Sequence, residues 1–135
     1  MIKLITGKKG TGKTKILIDM INDAAKKTSG NIVCIEKGAK LTYDIDHSVR
    51  LADTERYGIE GYDAVYGFIA GMLAGNFDIS EVYVDSILKI GGPDFAALGN
   101  LLKKLDKIAG NDVKLVFTVS ADENELPEEV KVFLK

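Results

Sequence analysis

A short apolar run, Ile2-Lys3-Leu4-Ile5-Thr6, leads without a break into the glycine-rich stretch Gly7–Thr14 (GKKGTGKT), and that stretch leads into a segment with helical spacing. No other feature restricts the fold as much. Gly7, Gly10 and Gly12 permit backbone angles closed to other residues, so the chain can wrap tightly and turn successive N–H groups inward. From Lys13 onward, Ile16, Leu17, Met20, Ile21, Ala24 and Ala25 recur three and four apart, the period of a helix with one buried face. Ser29-Gly30-Asn31 ends that helix, and Asn31–Glu36 (NIVCIE) reads as a second buried strand. Strand, loop, helix and strand in this order form the unit from which parallel sheets are built.

The same alternation continues along the chain. Glu81–Asp85 (EVYVD) is a third strand, Val113–Val119 (VKLVFTV) another, and Asp94–Ala109 an amphipathic helix with Phe95, Leu98, Leu101, Leu102, Leu105 and Ile108 on one side. Gly61–Gly75 reads as a helix whose Gly67, Gly71 and Gly75 share a face, an arrangement expected to let another backbone approach closely. Lys37–Glu55 is expected to hold a hairpin or one strand near Val49-Arg50-Leu51. The tail is expected to form a short helix with Pro127 at its first position; the alternation of Val130, Val132 and Leu134 leaves a final strand as the other option. With 135 residues, 46% of them hydrophobic, the chain has material for one core. The expected fold is α/β: a single three-layer domain over residues 1–135, with a mostly parallel sheet of about five strands and helices on both faces.

A formal net charge of −2 offers no electrostatic footprint for nucleic acid or for an acidic membrane. The local basic cluster, Lys8, Lys9, Lys13 and Lys15, coincides with the glycine loop, where the phosphate of a nucleotide accounts for it. Cys34 lies inside an apolar run and reads as a small buried hydrophobe. His47, near Asp44 and Asp46, is too isolated for a zinc site and reads as a loop residue. The apolar N-terminal stretch is too short for a signal peptide, and the most apolar window, Val65–Gly75, is about half of a membrane span. The expectation is a cytoplasmic protein.

Residues 7–14 match the pattern G-x-x-x-x-G-K-[ST] at Gly7, Gly12, Lys13 and Thr14, with a strand before it and a helix starting inside it, the context the pattern needs. Lys8, Lys9, Gly10 and Thr11 complete the loop. In such a loop the N–H groups and the helix N-terminus face phosphate oxygens. Lys13 would bridge the β- and γ-phosphates, and the Thr14 hydroxyl would ligate magnesium.

On these residues the chain resembles the P-loop NTPase superfamily, with GKKGTGKT as its Walker A motif and Val82-Tyr83-Val84-Asp85 as its Walker B strand. The resemblance implies Mg-ATP as the ligand and Asp85 as the residue that orients the metal. Many ATP-hydrolysing members carry a glutamate after that aspartate; here the position is Ser86. In recombinase-like members the glutamate instead ends the strand after the first helix, a place held here by Glu36. Thr118 and Ser120 stand where related ATPases keep a polar sensor of the γ-phosphate. Arg50 and Arg56 are the only arginines, which makes a small-molecule kinase with an arginine-bearing lid the weaker reading. Without an N-K-x-D element, adenine is the default base. The chain also resembles short stand-alone bacterial P-loop proteins. Two functions stay open: a RecA-like ATPase with slow hydrolysis, its catalytic residues Lys13 and Glu36, and an ATP-dependent binding or assembly module. Completion of the site by a second copy or a protein partner is expected, with Tyr57, Tyr62 and Tyr66 as an exposed region available for it.

Overall fold

The computed structural model describes residues 1–134. Five strands, β1 (Ile2–Thr6), β2 (Asn31–Glu36), β3 (Arg50–Asp53), β4 (Ile79–Val84) and β5 (Lys114–Val119), pair in the order β1-β5-β4-β2-β3. All four pairings are parallel. The connecting helices are α1 (Lys13–Lys27), α2 (Tyr62–Gly75), α3 (Ile87–Gly91) and α4 (Phe95–Ala109), and α5 (Glu128–Lys131) follows the last strand.

Side chains alternate across each strand, and this splits the interior into two cores. Val33 and Ile35 of β2, Val82 and Val84 of β4, and Leu115 and Phe117 of β5 face α2, α3, α4 and α5. Their chain neighbours Ile32, Cys34, Tyr83 and Val116 face α1 and the loop that carries Leu41, Ile45 and Val49. The parallel register lines these residues up across the sheet, Cys34 with Tyr83 and Tyr83 with Val116. Central strands buried on both faces need apolar residues at consecutive positions, which is why NIVCIE, VYV and LVFTV look unpatterned as sequences. On α1, Leu17 and Ile21 are fully buried; truncating either to alanine is expected to cost about 2–5 kcal/mol. The Asp94 carboxylate caps α4 by accepting from the backbone N–H groups of Ala96 and Ala97, a contribution of roughly 1 kcal/mol.

Several local expectations are corrected. Gly67, Gly71 and Gly75 face open space, with nothing within 4 Å of where a side chain would start. The helix buries Tyr62, Val65 and Ile69, and position 67 lies about 200° around the axis from Val65 at 3.6 residues per turn. Ile16 of α1 and Ile108 of α4 are 48% and 44% exposed; Ala109 takes the place in the core expected for Ile108. Of the two options for Lys37–Glu55 the single strand is the one found: β3 adds in parallel to the edge of β2. The tail forms the expected short helix, α5, with Pro127 at its N-cap rather than its first position, after a 3-10 turn at Glu123–Glu125. Tyr62 is buried and donates its hydroxyl to the carbonyl of Gly92, so the expected exposed tyrosine group is reduced to Tyr57, with Tyr66 partly covered. Among the described residues no helix is long and apolar enough to cross a membrane.

Candidate functional site

In a parallel sheet, ligands are met in the crevice beyond the carboxyl ends of the strands, and the singled-out residues gather there. Gly7 leaves β1, Glu36 ends β2, Asp85 follows β4, and Thr118 and Ser120 lie at the end of β5. Because β5 runs between β1 and β4, Thr118 is held between the glycine loop and Asp85.

The loop is anchored at its start by the Gly7 N–H, which donates to the carbonyl of Ala121 at 3.0 Å. Gly7, Gly10 and Gly12 have φ of 147°, 86° and 83°, angles that disfavour any side chain. At Gly7 a Cβ would also lie 2.6 Å from Oγ1 of Thr11. Thr11 in turn donates to the Lys8 carbonyl at 2.8 Å. The Lys13 ammonium folds back over the loop onto the same carbonyl at 2.9 Å and reaches Thr11 Oγ1 at 3.4 Å. Its side chain is buried, and burial lowers its pKa while the nearby Asp85 charge acts in the opposite direction.

A cavity of about 310 Å³ opens above the loop, lined by Lys9, Gly10, Gly12, Lys13 and Thr14 on one side and by Ser86, Leu88, Lys89 and Ser120 on the other. Gly7, Lys8 and Thr11 form the frame of the loop rather than this wall. Lys15, part of the basic cluster in the sequence, points away into an exposed ion pair with Asp19 at 2.8 Å.

Four side chains and one backbone group form a connected network beside the cavity. Thr14 Oγ1 lies 3.2 and 3.3 Å from the two carboxylate oxygens of Asp85. Thr118 donates to Asp85 Oδ1 at 2.8 Å and accepts the Ser86 N–H at 2.6 Å. Ser86 Oγ sits 3.5 Å from Asp85 Oδ2. Ser86 is, among the described residues, the one non-glycine with positive φ, at 57°. Such a conformation costs about 1–2 kcal/mol for an ordinary residue. No composition or periodicity signal announces it. Lys89 was missed for a related reason: α3 has five residues, too few for a helical period to be seen.

Glu36 belongs to the strand beside β4, as its proposed role requires. Its carboxylate is buried and already engaged: Oε1 accepts from the Lys40 N–H at 3.2 Å and Oε2 from the Leu41 N–H at 3.0 Å. Asp53 at the end of β3 holds the same loop by accepting from Gly38 N–H at 2.7 Å. Burial holds the Glu36 carboxyl above its ordinary range; the two N–H donors work against this, and the charges of Asp85 and Asp53 add to it. Neither arginine lines the cavity: Arg50 bonds to the Tyr57 hydroxyl at 3.1 Å and Arg56 lies over the Tyr57 ring. His47 is an exposed loop residue, and among the described residues no cluster of three or more His, Cys, Asp or Glu is placed to hold a metal. Cys34 is fully buried, with its thiol pushed up to about 12 first by burial and then by Glu36 and Asp85.

Fold and loop together define a class: a parallel α/β domain whose glycine-rich loop joins the first strand to the first helix at the carboxyl edge of the sheet. No family model matches the chain, and no curated protein does.

Proposed function

We propose that this protein binds a nucleoside triphosphate with magnesium, ATP being the default, in the cavity above the glycine loop. The observation that carries the reading is the meeting of Thr14 Oγ1 with both oxygens of Asp85, at 3.2 and 3.3 Å, at the mouth of that loop. Magnesium takes oxygen ligands, keeps several waters and needs only one or two protein groups besides phosphate; a hydroxyl and a carboxylate side by side fit that demand. When bound, the ion would neutralise charge on the phosphates. The chain's own part is to cradle phosphate oxygens with the N–H groups of the loop and the ammonium of Lys13, which leaves the Lys8 carbonyl to do so, and to hold Asp85 in place through Thr118.

Slow hydrolysis by a RecA-like arrangement is the first form of this reading, with Glu36 positioning water from the strand beside Asp85. A second form, an ATP-dependent binding or assembly module with negligible turnover, is favoured by the engagement of both Glu36 oxygens with backbone N–H groups and by Ser86 in the place of a glutamate. It expects ATP to change oligomeric state or partner binding without being consumed.

Calorimetric titration of Mg-ATP into the wild type and Lys13→Ala tests the common core. Binding that the substitution removes supports it, and no binding to the wild type rejects it. Phosphate release then separates the two forms: loss of turnover in Glu36→Gln with binding intact supports hydrolysis, whereas an ATP-dependent change in sedimentation without phosphate release supports the switch.

A further inference from the structure

Building on the nucleotide reading above, we infer that Lys89 is a second cation, beside Lys13, that contacts the terminal phosphate and lets the site distinguish a triphosphate from a diphosphate. Phosphoryl chemistry and triphosphate recognition both call for positive charge beyond the loop lysine, and the two arginines are occupied with Tyr57 away from the cavity. Lys89 is where such a charge is needed. Its backbone N–H donates to the carbonyl of Ser86 at 3.0 Å, which places it one turn beyond the residue that follows Asp85.

The geometry separates it from the other lysines of the cavity. Lys9 and Lys13 belong to the loop itself, whose backbone arc would hold the phosphates nearer the nucleoside while Lys13 spans the β- and γ-phosphates from that side. Lys89 comes from the opposite wall, together with Ser86 and Ser120, so that a last phosphate seated in the cavity would lie between the loop and this residue. Its side chain is exposed, and among the described residues no carboxylate lies within 4.0 Å of its ammonium, unlike Lys15 and Lys27, which are tied to Asp19 and Asp23. Lys89 also borders a second, polar cavity of about 280 Å³ with Lys37, Thr54, Glu55 and Glu60. It therefore has open space on both sides and no competing ion pair to break before it swings onto an anion.

Calorimetry with Mg-ATP and Mg-ADP on the wild type, Lys13→Ala, Lys89→Ala and Lys89→Arg tests the inference. A charge-assisted contact to the terminal phosphate predicts that Lys89→Ala weakens Mg-ATP on the order of tenfold or more and leaves Mg-ADP within about twofold. Lys89→Arg should restore most of the preference for ATP. Because Lys89 is exposed, the unfolding midpoint should not move, and this keeps a folding defect apart from a binding one. If Lys13→Ala abolishes binding while Lys89→Ala leaves both affinities alone, or lowers both equally, the role of Lys89 is overturned and the nucleotide reading stands. If the wild type binds neither nucleotide, both fall.

Discussion

Thr118 donates its hydroxyl to Oδ1 of Asp85 at 2.8 Å, and its own Oγ1 accepts the Ser86 N–H at 2.6 Å. One hydroxyl of β5 thus fixes both the carboxylate and the strained residue after it. Thr118 is 1% exposed, so its hydroxyl is paired within the protein and not with solvent. Thr118→Val keeps the shape and leaves the Ser86 N–H without a partner, at a cost of roughly 1–3 kcal/mol. Thr118→Ser retains the hydroxyl and should recover most of that. Urea unfolding of the three proteins measures it; a valine variant as stable as the wild type would show that the network holds nothing in place.

The titration of Glu36 has a definite sign. Burial, with the charges of Asp85 and Asp53, raises its pKa in the folded chain despite the N–H groups of Leu41 and Lys40. The folded state therefore binds this proton more tightly than the unfolded one. Stability from the group is fully present below the ordinary carboxylate pKa and is lost as pH rises through the raised folded value. Glu36→Gln does not titrate there, so the stability of wild type relative to this variant should fall as pH rises above the ordinary carboxylate range. Thermal unfolding of both proteins through and above that range is the measurement. Parallel curves would mean the carboxyl is not perturbed.

Tyr62 and Gly91 are fitted to one another. A Cβ on Gly91 would lie 2.3–2.6 Å from three atoms of the Tyr62 ring, a ring that is itself buried and hydrogen-bonded to Gly92. Gly91→Ala should lose about 1–3 kcal/mol through overpacking. In a Tyr62→Ala background the same change should cost far less, and a double-mutant cycle reads the difference. Additive losses would place the strain elsewhere than in this contact.

These contacts mark where the sequence could and could not be read. The glycine loop was legible because Gly7, Gly12, Lys13 and Thr14 stand at fixed spacing between a strand and a helix, so local chemistry and local structure are the same signal. Asp85 was legible because an apolar strand ends in an acid. That Glu36 lies on the strand beside Asp85 was not, since strand order is decided by packing between distant segments. The outward face of Gly67, Gly71 and Gly75 was misread for a similar reason: glycine spacing reveals a shared face but not whether anything covers it. Tyr62 looked exposed in the sequence because the space for its ring is supplied from outside its own helix, by the missing side chain of Gly91.

Ser86 carries a strain that a simple pair of substitutions can expose. Its φ and ψ of 57° and 58° lie in the left-handed region, where an L-residue loses about 1–2 kcal/mol and glycine does not. Glycine also gives the unfolded chain more freedom, which returns roughly 0.4–1 kcal/mol to the unfolded side. The side chain offers little to set against this, since its oxygen is 3.5 Å from Asp85 Oδ2, a long contact for two oxygens. Ser86→Gly should therefore be as stable as the wild type or more stable by up to ~1 kcal/mol. Ser86→Val, whose branched Cβ is a genuine outlier at positive φ, should be clearly less stable than either. Urea midpoints give the order directly. A glycine variant that falls well below the wild type would mean that the hydroxyl holds Asp85 more firmly than its distance implies, and that serine stands after the acid for its oxygen rather than in spite of its backbone.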